Sequence, residues 1–134
     1  MANALYDAGR NAFLQGDIDW VNDTIKAVII DSADYAVNLS TDAFLNDIPV
    51  AARIGTAILS GQTASAGVAD ASDLTFNNVT GDQAEALVLY KDTGVEGTSQ
   101  LIAYIDTATG LPVTPSGSDI IIEWSNGSTK IFKL

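Results

Sequence analysis

Two apolar runs joined by a polar turn, between Glu85 and Asp106, constrain the fold of this chain most strongly. The first run is Leu87–Tyr90 and the second is Leu101–Ile105, and the Asp- and Gly-containing segment between them is typical of a hairpin loop. Because side chains alternate between the two faces of a strand, a hairpin with one wet face should alternate apolar and polar residues. Neither run alternates, so we expect both faces to be covered, one by the chain's own second sheet or helix and the other by another subunit.

The N-terminal stretch predicts an amphipathic helix over Ala4–Gln15, within a helical segment of about residues 1–20. Asn3 is suited to the N-cap and Gly16 to the C-terminal cap. Leu5, Gly9, Ala12 and Phe13 recur at helical spacing. Two interpretations stay open, since the helix either packs on the sheet or acts as an arm that docks on a neighbour.

Short strands separated by turns are predicted for the rest of the chain, with a short helix over Asp42–Asp47 and an irregular loop over Thr107–Ser118. A second hairpin is predicted around Ser60-Gly61, and Asn126-Gly127 marks the turn from which the last strand returns. These strands are Thr24–Ile30, Arg53–Leu59, Gln62–Val68, Leu74–Asn77, Asp119–Trp124 and Lys130–Leu134. The pattern predicts one mainly β domain over residues 1–134, an antiparallel β-sandwich or barrel of about eight short strands.

The charge composition excludes some partners and suggests others. Only 17% of residues are charged, against about 25% in typical soluble domains, which suggests that part of the surface is normally occupied. Six basic residues face seventeen acidic ones, for a net charge of -11. Direct binding of nucleic acid or of an anionic membrane is therefore not expected. No apolar run reaches the ~20 residues of a membrane helix, and we expect no signal peptide.

The residues available for chemistry are few, because the chain has no histidine and no cysteine. That removes the commonest general base, the thiolate nucleophile and the usual zinc ligands. The close carboxylate pairs are Asp17/Asp19, Asp31/Asp34 and Asp70/Asp73. Most of these acids sit at turn positions, where aspartate is favoured for local hydrogen bonding. We predict no catalytic residue, no cofactor and no metal site, with calcium at such acidic loops as the weaker alternative.

Aromatic residues offer a further alternative. Trp20, Tyr35, Tyr90, Tyr104 and Trp124 are the residues that would line a sugar-binding groove. Tyr90, Tyr104 and Trp124 lie in predicted strands, where aromatic side chains more often belong to a core or an interface. The core or interface interpretation is therefore favoured.

Several segments spread over most of the chain follow one pattern: Asn3–Asp7 with Ala12–Leu14, Asp47–Pro49 with Ala52-Arg53, Ala66–Ala71, Val88–Gly94, Leu101–Val113 and Lys130–Leu134. Together they resemble a family of small virion structural proteins of tailed bacteriophages. The resemblance implies a non-catalytic particle component, most like a capsid decoration, or cement, protein. It implies no catalytic residues.

The sequence thus predicts a cement protein on the capsid surface of a virion, made in the host cytoplasm. Its expected partners are copies of itself, as a homotrimer, and the major capsid protein or another virion protein. The N-terminal helical segment or the Thr107–Ser118 loop is expected to touch the capsid protein. The predicted interface residues are Leu5, Phe13, Leu89, Tyr90, Tyr104 and Pro112. The alternatives are a tail, neck or fibre-attachment component and a glycan-binding module on the virion.

Overall fold

The computed structural model describes residues 4–134, which form a mainly β fold of antiparallel sheets with one α-helix. The largest sheet has five strands in the order β1-β8-β7-β2-β3, a second has the order β10-β5-β4, and β6 pairs with β9. The elements are β1 (Ala4–Leu5), α1 (Asp7–Leu14), β2 (Ile25–Ile30), β3 (Arg53–Ile58), β4 (Thr63–Ser65), β5 (Val68–Asp70), β6 (Leu74–Phe76), β7 (Ala86–Lys91), β8 (Leu101–Ile105), β9 (Ile120–Ile122) and β10 (Phe132–Lys133). The mainly β prediction is confirmed.

The predicted central hairpin is confirmed as β7 and β8, which pair antiparallel in the middle of the five-stranded sheet. The pairing shifts after Leu89, which lies opposite Ala103, because Tyr90 lies opposite Leu101. Ile102 is therefore the extra residue of a β-bulge. The bulge explains why Ile102 and Ala103, although adjacent, both belong to the same core cluster.

The bulged end of β8 also receives α1 at very short range. A side-chain carbon added at Gly9 would lie 2.7 Å from the backbone oxygen of Leu101. Only glycine permits that approach, since real Cβ atoms keep a greater distance from backbone. Helix α1 thus packs directly on the sheet. This agrees with the first of the two interpretations that the sequence left open.

The first face of the five-stranded sheet is covered by the two smaller sheets, and we call it the strand-covered face. Its core is mostly aliphatic, with Phe76 and two indole rings as the buried aromatic side chains. From the large sheet it takes Ile25, Ala27, Ile29, Leu87, Leu89, Ala103 and Ile105, and from the covering elements Trp20, Leu74, Phe76, Ile120, Ile122, Trp124 and Ile131.

The second face is covered by residues 31–52, and we call it the loop-covered face. Tyr35, Leu45, Ile48 and Ala52 from this segment pack on the sheet. Their partners from the sheet and its N-terminal edge are Tyr6, Val28, Ile30, Ala86, Val88, Tyr90, Leu101 and Tyr104. The prediction that another subunit covers one face of the hairpin is therefore wrong. The segment that supplies the cover is polar in sequence, but it places its few apolar residues on the sheet.

The accessible surface gives the same result for the subunit as a whole. It measures 6508 Å² for a mass of 14.0 kDa, and a compact monomer of that mass exposes roughly 6,700 Å². The low fraction of charged residues thus does not reflect a core left open. Any surface for a partner has to be sought in local patches.

The element boundaries depart from the predictions at the start of the helix and at one hairpin. The α-helix begins at Asp7 rather than Ala4, because Ala4 and Leu5 pair with β8 as strand β1. The predicted cap Asn3 lies outside the described residues. The predicted end is confirmed, since Gln15 is the C-cap and Gly16 follows with a φ of +79°.

The predicted hairpin around Ser60-Gly61 is wrong. Strand β3 pairs with β2, and β4 instead pairs with β5 around Ala66 and Gly67, whose φ angles of 53° and 77° are positive. Two successive positive φ angles are those of a tight hairpin turn. In the same way β9 and β10 flank the Asn126-Gly127 turn but pair with β6 and β5. The short helix after Thr41 is a single 3-10 turn, Leu45–Asp47.

Candidate interaction surface

Four of the six predicted interface residues lie inside the subunit. Leu5, Leu89, Tyr90 and Tyr104 are all buried in the isolated chain. They therefore present almost no surface to a neighbour, and for them the interface prediction is wrong, because the chain's own segments fill both sides of the hairpin. Phe13 is half-buried, and Pro112 is exposed in the irregular loop between β8 and β9.

Phe13 marks an apolar groove between the helix and the last strand. Leu14, at the end of α1, is 84% exposed, and Leu134, just after β10, is 59% exposed. Five other large apolar side chains are exposed among the described residues, but these two line one groove, and contiguous exposed apolar surface often marks a contact site. We call this surface the α1–β10 groove, and it is lined by Leu5, Arg10, Phe13, Leu14, Lys133 and Leu134.

Aromatic contacts hold the two walls of the α1–β10 groove in place. The ring of Phe13 packs at 5.9 Å from that of Phe132, and Phe132 packs edge-on at 5.2 Å from Trp20. The indole nitrogen of Trp20 in turn donates a hydrogen bond to the backbone oxygen of Asp70 at 3.2 Å. The helix, β10 and β5 are thus tied together, so the groove is preformed.

The groove continues along β10 into an adjoining hollow of about 460 Å³, which shares Leu5, Arg10 and Lys133 with it and reaches Lys130. Among the described residues, three cations and no carboxylate line the groove and this extension. Arg10 pairs with Asp7 at 3.2 Å. In the part of the chain that the structure describes, Lys130 and Lys133 form no ion pair, whereas the remaining cations Lys26, Lys91 and Arg53 are each paired with a carboxylate.

Aspartates from two of the carboxylate pairs found in the sequence accept hydrogen bonds from backbone N–H groups. One oxygen of Asp19 accepts the backbone N–H of Val21 and of Asn22, and the other accepts the Asn22 amide. The amide hydrogen bond is the main reason why the pKa of Asp19 is lowered. The prediction of turn chemistry is confirmed at Asp19. Asp73 instead accepts the backbone N–H of Trp124, which is remote in sequence, so this carboxylate ties together two distant segments.

The close pair Asp31/Asp34 is joined in the structure by Asp82, which the sequence did not place beside it. Asp31, Asp34 and Asp82 each place an oxygen within 4.8 Å of the others. Asp31 is 9% exposed and also accepts the backbone N–H of Ala33. Calcium prefers six to eight oxygen ligands, and exposed acidic groups commonly converge without an ion. We assign no metal to this cluster on its geometry.

The aromatic residues considered for a sugar groove all belong to the core. Trp20, Tyr35, Tyr90, Tyr104 and Trp124 are each buried. The core interpretation of these aromatics is thus confirmed, and a glycan groove built from their rings is wrong, because a sugar has to stack on an exposed face. The indole nitrogen of Trp124 donates to the backbone oxygen of Ser72 at 3.0 Å, which holds this ring against β6.

A buried hydrogen-bond chain links the loop-covered face to the N-terminal segment. The hydroxyl groups of Tyr6 and Tyr35 are 2.9 Å apart, and Tyr35 donates to a carboxylate oxygen of Asp42 at 2.6 Å. Burial raises the pKa of both tyrosines. These hydroxyls therefore stay protonated at neutral pH and serve as structural donors.

The signal for the α1–β10 groove was present in the sequence but weak. Lys130 and Lys133 flank Ile131 and Phe132 in the last segment, so the chain ends in mixed basic and apolar residues. Leu14 follows Phe13 and falls off the apolar face of the helix. The sequence did not predict that these two segments are neighbours. Strand β10 takes its place by pairing with β5, which is remote in sequence from both segments.

Comparison of the chain with protein-family models and with curated proteins gave no match. Among the described residues, no helix is both long enough and apolar enough to cross a membrane. The function therefore has to be inferred from the residues and the geometry of the chain itself. The surface feature that they single out is an apolar groove with a cationic rim on an otherwise acidic subunit.

Proposed function

We propose that this protein is a non-catalytic structural component of a tailed-phage virion that decorates and stabilises the capsid. The observation that carries the proposal is the α1–β10 groove. It exposes Leu14 and Leu134 on a subunit whose two cores are otherwise closed. Exposed apolar surface of this kind, rimmed by polar groups, is typical of protein–protein contact.

The closed core fits the way in which a cement protein acts. Both faces of the main sheet are filled by the chain's own segments, so the subunit can fold before it meets a partner. A protein that folds alone and binds only the assembled lattice stabilises that lattice by mass action. The resemblance of the sequence to virion proteins supports the same role.

The charges of the subunit favour a position on the outside of a particle. The net charge is -11, and a surface of this sign repels nucleic acid. We therefore place the protein against protein partners, which are its own copies and the major capsid protein. The exposed loop that contains Pro112 is the proposed contact with the capsid protein.

The ionisable groups support a structural role over a catalytic one. Asp19 and Asp73 hold turns and strand ends through hydrogen bonds to backbone N–H groups. The four tyrosines all have a raised pKa because they are buried, so they remain neutral at physiological pH. We propose that no enzymatic activity belongs to this subunit.

The test compares phage heads that lack the protein with complete heads. We expect the depleted heads to burst at a lower temperature or under a milder osmotic shock, and added wild-type protein to restore them. Leu14→Asp should restore them poorly, whereas Ile58→Asp, at another exposed apolar residue on β3, should restore them fully. Depleted heads as robust as complete ones would rule out the cement role.

The principal alternative is a tail, neck or fibre-attachment component, and labelling separates it from the proposal. Antibody labelling of purified particles should cover the head of a virion that carries a cement protein. A small ring of label at the neck, or label confined to the tail, would indicate the alternative. Neither alternative location changes the expectation that the subunit lacks catalytic activity.

A further inference from the structure

We infer that the α1–β10 groove receives the acidic surface of a second copy of this chain, so that the subunits associate head to tail. The inference deepens the proposed structural function, on which it rests, because it names the surface and the partner for self-assembly. It goes beyond a homotrimer implied by resemblance, since it states which part of one subunit meets which part of the next.

The first argument is the uneven distribution of charge. Arg10, Lys130 and Lys133 line the groove and its extension, where no aspartate or glutamate side chain joins them, and only Arg10 is paired, with Asp7. The rest of the chain then holds only three of the six cations but all seventeen acidic residues. Because those three cations are already paired, the outer surface of every copy is strongly negative. The groove is thus the place on each subunit that attracts the remainder of another.

The second argument is that two charged side chains of the groove have no ion-pair partner and that apolar side chains lie exposed beside them. In the part of the chain that the structure describes, Lys130 and Lys133 have no ion-pair partner. The apolar side chains of Leu14 and Leu134 lie beside them. A partner that brings carboxylates together with apolar side chains would satisfy both. Each copy offers this combination outside the groove, for example at Ile121, which is 59% exposed, and at Glu123, which is exposed two residues further on.

The third argument excludes the symmetric alternative. In a two-fold dimer the same patch meets itself, which would bring Arg10 and Lys133 of one subunit against the same cations of the other. Like charges in contact disfavour that arrangement. A head-to-tail contact places the cations opposite carboxylates, and such contacts either close into a ring or continue as a filament. A ring of three agrees with the trimer that the resemblance implies.

The test is sedimentation velocity on the full chain, with paired variants at two groove positions. We expect the wild type to form oligomers, Leu14→Asp and Lys133→Glu to weaken association about tenfold or more, and Leu14→Met and Lys133→Arg to associate as the wild type does. Circular dichroism should show that all four variants are folded, because both positions are at the surface. High salt should weaken wild-type association and reduce the difference made by Lys133→Glu.

Three outcomes would overturn the inference. A wild type that stays monomeric at all concentrations, or reversal variants that associate normally, would show that copies do not use the groove. Stronger association of Lys133→Glu would indicate two grooves face to face. A monomeric wild type that binds heads, while Leu14→Asp does not, would assign the groove to the shell; self-association would then be wrong although the proposed function stands.

Carbodiimide cross-linking identifies the opposite surface directly. A mixture of isotopically light and heavy chains should yield mixed-mass peptides that join Lys130 or Lys133 to an aspartate or glutamate of another copy. Peptides joined only within one chain, in a sample that sediments as an oligomer, would contradict a contact through the groove.

Discussion

The two faces of the five-stranded sheet bury similar strands in different ways. The strand-covered face is closed by two small sheets, and its buried side chains are aliphatic apart from Phe76 and the two indole rings, with no tyrosine among them. The loop-covered face is closed by residues 31–52, which contain little regular structure, and it holds all four tyrosines of the chain. The comparison shows that a continuous apolar strand fixes burial on both sides but does not fix the kind of cover.

The two covers depend on different interactions. A small sheet satisfies its own backbone groups through strand pairing, so its core can be apolar throughout. An irregular segment lacks that ladder, and here the Tyr6–Tyr35–Asp42 chain ties it down. Buried hydroxyl groups are tolerated only when hydrogen-bonded. The loop-covered face should therefore respond to pH and to the loss of single hydroxyl groups, and the strand-covered face should not.

The largest effect is expected from a charge placed on the strand-covered face. Leu89→Asp would bury an unpaired carboxylate among aliphatic side chains, at a cost of about 3–5 kcal/mol. Because a domain of this size is stable by only about 5–15 kcal/mol, we expect a large part of its stability to be lost. Urea unfolding followed by circular dichroism measures the change. Leu89→Met is the control, and a native-like midpoint for Leu89→Asp would show that this strand is not in the core.

The next effect is alkaline unfolding that starts at the loop-covered face. Burial raises the pKa of Tyr90 to about 12 and raises those of Tyr6, Tyr35 and Tyr104 from the usual 10.0. A raised pKa in the folded state means stability that is complete below pH 10 and is lost as the pH rises through the folded pKa values.

Absorbance at 295 nm across an alkaline titration measures this response. We expect almost no tyrosinate until the protein unfolds, and then all four tyrosines to ionise together. The same chain in concentrated urea should titrate near the ordinary value. Tyrosines that titrate one by one near pH 10 in the folded protein would contradict the packing of this face.

A smaller effect is expected from one hydroxyl group. Tyr35→Phe removes the donor to Asp42, whose carboxylate oxygen then keeps only the backbone N–H of Asn38, for a loss of about 1–3 kcal/mol. Hydrogen exchange should rise in residues 35–48 and stay unchanged in β6 and β9. Tyr104→Phe is the matched control, since the Tyr104 hydroxyl makes no hydrogen bond to the described residues. An equal loss of stability in both variants would show that burial alone, not the hydrogen-bond chain, holds the loop.

The smallest effect concerns an ion pair that belongs to neither core. Lys26 lies 2.9 Å from Asp92 at the start of the central hairpin loop, and this hydrogen bond is the main reason why the pKa of Asp92 is lowered. The pair's contribution is present above the usual pKa of 3.8 and is lost as the pH falls through the lower folded value.

Since the pair lies at the surface with both side chains partly exposed, Asp92→Asn should cost about 1 kcal/mol. Thermal melts at neutral pH and at low pH measure the difference, which should shrink at low pH, where both proteins lack the charge. A difference that grows on acidification would show that Asp92 stabilises the hairpin by means other than its charge.

Local patterns predicted the elements well where the chain is strongly apolar. The hairpin of β7 and β8, strand β2 and the end of the helix at Gly16 follow from runs of residues and from cap chemistry. The predicted hairpin at Ser60-Gly61 failed because a turn with positive φ at Ala66-Gly67 joins β4 to β5 instead. An alanine does not predict a turn with positive φ. The sequence of β3 also does not predict which strand it pairs with.

The candidate site was predicted less well than the fold. Of the proposed interface residues, only Phe13 lies in the α1–β10 groove with an accessible side chain, and Pro112 is exposed elsewhere. The hydrophobic character of Leu89 and Tyr104 predicted burial correctly but gave no way to tell a core from an interface. Leu14 and Lys133 were missed because they are neighbours only after β10 has paired with β5.

By itself, the sequence determined that the central strands of this protein are buried on both sides, that the chain is mainly β, and that its surface is acidic. These properties depend on the kind of residue and on spacing along the chain, which local physics can evaluate. Only the tertiary structure decided what covers each face and where exposed apolar and cationic side chains meet. Those outcomes depend on pairings between segments distant in sequence, and no local preference specifies them.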